Sequence, residues 1–247
     1  MELGFYAADR REDDLLQAVL GCLSARGARA TGRGYAIESW VPFAGPTDFD
    51  RSAVVIDRLA GVADAVPSRQ RLVEVEVAAA FRYDPGSFAR VTYLSIDRED
   101  VSLDNHPVAI WASGEVFSHP PGEPPPRQAA VAAEVVEVFT AVVEAASPGY
   151  AAITVDWPLE SPHGFARDPT SGAAYHDFFV GCSYVGEAAL SRIEAAAAGL
   201  TLRRTAAGLF VLSYFAGSGD EDRERAGTAG EALAREIAAV AAGSMPA

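Results

Sequence analysis

The sequence predicts an α+β fold, in which helices pack on a largely antiparallel or mixed β-sheet and the chain forms two similar-sized halves. Two observations carry this prediction. Strand patterns follow one another at hairpin spacing, and helical patterns interrupt them irregularly, in the order βαβαβββ, a Pro-rich break and then αββαββα. A doubly wound parallel sheet would require regular alternation of strands with helices, so we expect consecutive strands to pair through hairpins.

The first half begins with a strand over residues 2–7 and a helix. Asp9 and Glu12 have the spacing of a helix-capping box. A second strand is expected over residues 35–43, and a second helix is expected to end before Pro67. The apolar positions at helical spacing are Leu15, Leu16, Val19, Leu20 and Leu23 in the first helix, and Val54, Val55, Leu59 and Val62 in the second.

Residues 72–96 have the clearest strand pattern in the chain. Valines alternate with Glu74 and Glu76, so one face of this strand should be buried and the other exposed. Residues 83–86, Tyr-Asp-Pro-Gly, fit a tight turn, because proline fixes φ and glycine accepts positive φ. The chain should therefore return as a hairpin, and a further strand is predicted over residues 108–117.

A proline-rich segment over residues 119–126, His-Pro-Pro-Gly-Glu-Pro-Pro-Pro, divides the chain nearly in half. Such a composition is typical of linkers and of long surface loops. We predict a single α+β domain over residues 1–247, and the alternative is a subdivision at this segment into residues 1–118 and 127–247.

The second half begins with a helix that ends before Pro148 and has apolar positions Val131, Val135, Val138 and Val142. Strands over residues 151–157 and 174–185 should flank a loop. The remaining elements are a helix over residues 187–198, two close strands over 200–204 and 208–215, and a C-terminal helix with Leu233, Ile237 and Val240.

Composition excludes several classes of function. The formal charge is −14, and all 20 basic residues are arginines. The absence of lysine excludes a pyridoxal Schiff base, a phosphate-loop lysine and a serine–lysine dyad. Because phosphate contacts need clustered cations, the acidity disfavours nucleic acid as a partner and is compatible with a basic protein. No dinucleotide-binding glycine pattern is complete, and no cofactor is predicted.

The expected location is the cytoplasm. The first residues lack a basic region followed by a long apolar run, which argues against a signal peptide. No stretch approaches about 18 uninterrupted apolar residues, so no membrane span is predicted. The two cysteines, Cys22 and Cys182, are too few for a disulfide framework and indicate reduced thiols.

Two of the four histidines, His163 and His176, lie in one short stretch. On a regular strand His176 and Asp177 point to opposite faces, with Asp177 beside Tyr175, so they should not act as a catalytic dyad. His163, His176 and Asp156 have the side chains of a three-ligand metal site, but no compact ligand spacing is present and no metal is predicted. The pocket that remains as an alternative combines Asp156, His163, Tyr175, His176 and Asp177.

The same stretch has features of a protein-binding surface. Trp157 and Phe165 flank prolines that stiffen a loop, and rigid aromatic side chains lose little entropy on docking. The alternative is that the loop folds back on its own domain with Trp157 in the core. The candidate contacts are Trp157, Glu160, His163 and Phe165, together with the acids Glu74 and Glu76 that the strand pattern predicts to be exposed.

Four stretches follow one another in an order that resembles one known family. Acidic and arginine residues occupy an early strand and helix over residues 6–16, and an apolar strand follows Asn105. Ser-Pro-Gly-Tyr at 147–150 follows a helix, and Val-Gly-Cys-Ser-Tyr-Val at 180–185 leads through another helix to the last strands. The order resembles immunity proteins of bacterial polymorphic and type VI toxin systems, especially the α+β group called immunity protein 52. The resemblance implies a cytoplasmic antidote that occludes a cognate toxin without catalysis.

Three hypotheses follow. The first is a non-enzymatic, acidic protein that binds another protein. The resemblance implies that this partner is a toxin, and the charge of the chain is compatible with a basic one. The second is an enzyme or a small-molecule-binding protein that uses the alternative pocket. The third is a structural component of a larger assembly. Nothing in the sequence predicts the oligomeric state.

Overall fold

The structure is a computed structural model, and it describes residues 1–7, 12–38, 51–62, 66, 70–82, 88–92, 108–112, 125–154, 158–213 and 220–243. The strands are β1 (Glu2–Tyr6), β2 (Arg29–Glu38), β3 (Arg51–Val54), β4 (Gln70–Ala78), β5 (Phe88–Thr92), β6 (Val108–Trp111), β7 (Tyr150–Thr154), β8 (Tyr175–Gly181), β9 (Thr201–Arg204) and β10 (Gly208–Leu212). The α-helices are α1 (Glu12–Ala25), α2 (Pro125–Ala146), α3 (Pro162–Arg167), α4 (Cys182–Val185), α5 (Glu187–Ala196) and α6 (Asp220–Gly243), and a 3₁₀ helix covers Pro169–Ala174.

The strands form one antiparallel sheet of ten strands, in the order β3-β2-β4-β5-β6-β1-β7-β8-β10-β9. This confirms the α+β prediction. The predicted hairpin pairs β4 with β5, although its turn at residues 83–86 lies outside the described residues. Strand β1 pairs with β6 on one side and with β7 on the other, so strands from both sides of the proline-rich segment belong to the same sheet. Of that segment, only Pro125 and Pro126 are described, and they begin α2.

Helices cover the two faces of the sheet unequally. On one face, α1 and α2 pack on each other and bury a core that extends from Leu3 and Phe5 of β1 to Phe210 of β10. On the other face, α3, the 3₁₀ helix, α5 and α6 cover β7, β8 and β10 around Tyr150 and Phe178. Alternation along β1 therefore sends Leu3 and Phe5 to the first layer and Glu2, Gly4 and Tyr6 to the second.

The helix predicted from Val54 to Val62 is wrong. Residues 51–54 form the edge strand β3, which pairs with β2, and residues 55–61 belong to neither a helix nor a strand. Ile56, Leu59 and Val62 are buried in the core, whereas Val55 is 70% exposed. The apolar residues at helical spacing thus belong to an irregular segment that buries single side chains in the core. A helix does not form over residues 51–54, because pairing with β2 satisfies the backbone groups that a helix would otherwise satisfy.

Two further elements differ from the prediction in their bounds. The strand expected over residues 35–43 begins six residues earlier, at Arg29, and is described as far as Glu38. The strand expected over 174–185 ends at Gly181, where α4 begins. The region expected to be a loop between β7 and β8 contains α3 and the 3₁₀ helix. Short helices of this kind carry too few periodic positions to be distinguished from a loop.

Candidate functional site

An irregularity in the pairing of β7 with β8 separates the side chains of the alternative pocket. Ile153 pairs with Asp177, whereas the next residue, Thr154, pairs with Tyr175. One extra residue on β8 thus opposes β7, as in a β-bulge, and the alternation of faces is broken. The prediction that Asp177 shares a face with Tyr175 is therefore wrong.

Asp177 and Tyr175 lie on opposite sides of the sheet. Asp177 is on the face of Phe179, which belongs to the core under α1 and α2, and its exposed fraction is 0%. Its carboxylate accepts hydrogen bonds from Ser213, at 2.8 Å from the backbone N–H and 3.4 Å from the hydroxyl. Tyr175 instead packs with Phe178 in the other core. The two side chains therefore cannot share one substrate.

Of the remaining members of the pocket, only His163 has a side chain in the described part of the chain. His163 is exposed on α3. Asp156 and the side chain of His176 lie outside the described residues, as does Trp157. Among the side chains that are described, no group of three or more His, Cys, Asp and Glu residues is arranged to hold a metal ion.

Three of the predicted partner contacts are less accessible than expected. Phe165 points from α3 into the core and is fully buried. Glu74 is only 7% exposed, and Glu76 is half-buried. The prediction of exposure for these glutamates is wrong because β4 lies inside the sheet, between β2 and β5, where flanking side chains cover both faces.

The segment that leads into α3 is fixed to the sheet by side chains. Glu160 is half-buried; its backbone N–H donates to the Tyr175 hydroxyl oxygen at 2.7 Å, and its carbonyl accepts from the Tyr150 hydroxyl at 2.5 Å. Ser161 caps α3 by accepting a hydrogen bond from the Gly164 N–H at 3.0 Å, and Pro162 follows at the first helical position. The start of α3 is thus held in one position.

An aromatic cluster lies beneath α3. The Tyr150 ring stacks on Tyr6 and Tyr184, with centroid distances of 4.8 Å and 5.8 Å. Phe165 contacts Tyr150 at 5.9 Å and Tyr175 at 5.8 Å. Burial raises the pKa of both Tyr150 and Tyr175 well above the ordinary value of 10.0. Both hydroxyls are therefore neutral near pH 7, where they hold backbone groups and do not act as bases.

Glu2 is the functional candidate that sequence reasoning missed. It lies on β1 between Trp111 of β6 and Thr154 of β7, and only 2% of it is exposed. Its Oε1 accepts a hydrogen bond from the Leu159 N–H at 3.2 Å, whereas Oε2 is buried and has no hydrogen-bond partner among the described residues. Burial raises the pKa of this carboxyl to about 7, against smaller opposing effects of the Leu159 hydrogen bond and the N-terminal amine. The only sequence feature that could have indicated this buried carboxyl is its position beside the apolar run Leu3–Tyr6. An acid in that position also occurs at the end of an ordinary strand.

Glu2 makes a testable contribution to stability. Its pKa in the folded protein, about 7, exceeds its ordinary value of 4.5, so the folded state binds the proton more tightly. The associated stability is fully present below pH 4.5 and is lost as pH rises to about 7, with a total of about 3 kcal/mol. We expect Glu2→Gln to raise the free energy of unfolding at pH 8 by about 3 kcal/mol and to leave it nearly unchanged at pH 4.

Urea denaturation of the wild type and of Glu2→Gln at several pH values measures this effect. The other titrating groups contribute equally to the two free energies of unfolding, so they cancel in the difference. A difference that is independent of pH would contradict the assignment of a raised pKa to Glu2.

Comparison with known proteins identifies no family for this chain. No protein-family model, no curated protein and no solved structure matches the chain. Over the part of the chain that the structure covers, no helix combines the length and the apolar character needed to cross a membrane.

Proposed function

We propose that this chain is a non-enzymatic protein-binding protein, an immunity protein that occludes a cognate toxin. One observation carries the proposal: residues 158–168 form a fixed surface element whose inner side chains are buried and whose outer side chains are exposed. Leu159 and Phe165 anchor the element in the core. His163, Ala166, Arg167 and Asp168 face solvent.

Fixation of this element favours tight binding. The hydrogen bonds from Tyr150 and to Tyr175 hold Glu160, and the Ser161 cap holds the first turn of α3. A surface that is ordered before a partner arrives loses less conformational entropy on binding, so more of the contact energy contributes to affinity. The separation of Asp177 from Tyr175 supports a binding role over catalysis, because these two residues of the alternative pocket lie on opposite faces of the sheet and do not act on one substrate.

The charge of the chain favours a basic partner. With a formal charge of −14, the protein attracts cationic surfaces over a distance comparable to the Debye length, about 8 Å at physiological salt. Several acids are exposed on the helices of both layers, among them Glu137, Glu187, Glu221 and Glu224. Association should therefore slow as salt is added, while dissociation from the α3 surface changes less.

The test is a binding measurement with a predicted contact variant and a matched control. The purified chain is titrated with the proteins encoded by the genes beside its own, and we expect a basic protein among them to bind. Ala166→Arg places a long charged side chain on the exposed face of α3, and we expect it to weaken binding at least 100-fold, about 3 kcal/mol. Ala133→Arg makes the same change at an exposed position of α2, on the opposite side of the sheet, and should bind like the wild type.

Equal loss of affinity in both variants would assign the effect to charge and reject the α3 surface. If the neighbouring protein does not bind and the purified chain turns over a small substrate, the proposed function is wrong.

A further inference from the structure

Residues 158–161, called here the latch segment, belong to neither a strand nor a helix and are attached to the sheet by three hydrogen bonds. Glu2 Oε1 accepts the N–H of Leu159 at 3.2 Å, the Tyr175 hydroxyl oxygen accepts the N–H of Glu160 at 2.7 Å, and the Tyr150 hydroxyl donates to the Glu160 carbonyl at 2.5 Å. The attachment therefore depends on the state of three sheet side chains, of which Glu2 is the one that titrates nearest to neutral pH.

The latch segment also covers Glu2. The side chain of Leu159, 3% exposed, occupies the space above Gly4, where a Cβ would lie 2.5 Å from Leu159 Cβ and 3.1 Å from Glu2 Oε1. The glycine thus allows Leu159 to sit directly on β1 beside the carboxyl group. With Leu159 in this position, the carboxyl of Glu2 is closed off from solvent.

The second carboxyl oxygen makes this arrangement sensitive to charge. Oε2 is buried, and no described residue gives it a hydrogen bond; a neutral acid tolerates this far better than a carboxylate does. Among the described residues, the titratable groups that interact electrostatically with Glu2 are the Met1 amine, which precedes it in the chain, and Tyr175 of β8. The amine favours the carboxylate, whereas the Tyr175 hydroxyl is neutral at these pH values.

We propose that Glu2 is a protonation-controlled latch, in which the neutral acid keeps residues 158–161 closed over the sheet and loss of its proton to solvent releases them. With Glu2 ionised, the closed state contains a buried charge, and opening hydrates that charge at the cost of the three hydrogen bonds of the latch segment and of the burial of Leu159. The latch segment is part of the surface element in the proposed function, but its opening is measured on the protein alone, so failure of the latch and failure of the proposed function are distinguishable.

Amide exchange measured by NMR tests the latch directly. A carboxyl that titrates at 4.5 when open and at about 7 when closed makes the opening equilibrium about tenfold larger at pH 8 than at pH 6. After correction for the intrinsic pH dependence of exchange, we expect the protection of the Leu159 and Glu160 amides to fall about tenfold between these pH values. In Glu2→Gln, which keeps an oxygen for Leu159 and cannot ionise, protection should be the same at both.

The control is the Leu190 amide of α5, which donates to the Gly186 carbonyl at 3.1 Å. Because ionisation of Glu2 also lowers the free energy of global unfolding, opening of the latch alone requires Leu159 and Glu160 to be less protected than Leu190 at both pH values. Equal protection at Leu190 would mean that the whole protein opens, and constant protection at Leu159 in the wild type would mean that the latch does not move; either result overturns the proposal. Carbon-13 titration of the Glu2 carboxyl in the wild type provides a measurement without any substitution. A midpoint near pH 4.5 would equally refute the latch.

Discussion

Gly230→Ala is expected to lower the free energy of unfolding by about 2–3 kcal/mol, although alanine is the better helix former. Gly230 of α6 faces Gly172 of the 3₁₀ helix, and a Cβ on either glycine would overlap the backbone carbonyl of the other. A backbone atom cannot rotate away as a side chain can, so the two helices must separate. Since α6 buries Leu233 and Ile237 in the core, their separation reduces packing beyond the point of contact.

A matched substitution one turn earlier separates packing from helix propensity. A Cβ on Gly227 would lie 3.4 Å from the Ala173 oxygen, which is ordinary contact. Gly227→Ala should therefore be neutral or stabilise the protein by up to about 1 kcal/mol. Urea denaturation of both variants measures the difference. If the two alanines have the same effect, the close approach of α6 to the 3₁₀ helix does not limit the side chain at position 230.

The second large effect is expected at Phe165. Phe165→Ala removes a fully buried ring that contacts both Tyr150 and Tyr175, so it should cost about 3–5 kcal/mol. The cavity would lie directly beneath α3, and α3 should lose its fixed position. This result would show that Phe165 anchors α3 in the core. The sequence pattern had instead predicted a surface contact for this residue.

His163→Ala on the same helix is the control for Phe165. His163 is exposed, so its removal should change the free energy of unfolding by less than about 0.5 kcal/mol. Chemical denaturation of the two variants gives the comparison, and near-ultraviolet circular dichroism reports the packing of the tyrosine rings. A small effect of Phe165→Ala would show that α3 is not anchored by this ring.

Much of the fold could be predicted because its signals are local. Helices α1 and α2 each bury one continuous apolar stripe, and the pairing of β4 with β5 follows from two adjacent strand patterns. Failure came where the local signal was ambiguous. The spacing of Val55, Leu59 and Val62 fits a helix that would include Val54, but strand pairing with β2 decides the conformation of residues 51–54.

The candidate site was harder to predict because it depends on long-range register. Alternation along β8 implied that Tyr175 and Asp177 share a face, and a single extra residue opposite Thr154 reverses this relation. The contact of Glu2 with Leu159 joins residues 157 positions apart, and no local pattern indicates it. Phe165 looks like a surface anchor in the sequence and is a core residue in the fold.

By itself, the sequence determined the class of fold, the acidic and lysine-free surface and the positions of the long helices, since these follow from composition and from periodicity within one element. Only the tertiary structure decided that β1 lies at the centre of the sheet, with its glutamate enclosed between β6 and β7. The physical reason is that burial depends on what the rest of the chain places around a residue. The pKa of Glu2 and the attachment of residues 158–161 are therefore properties of the assembled fold and of no single segment.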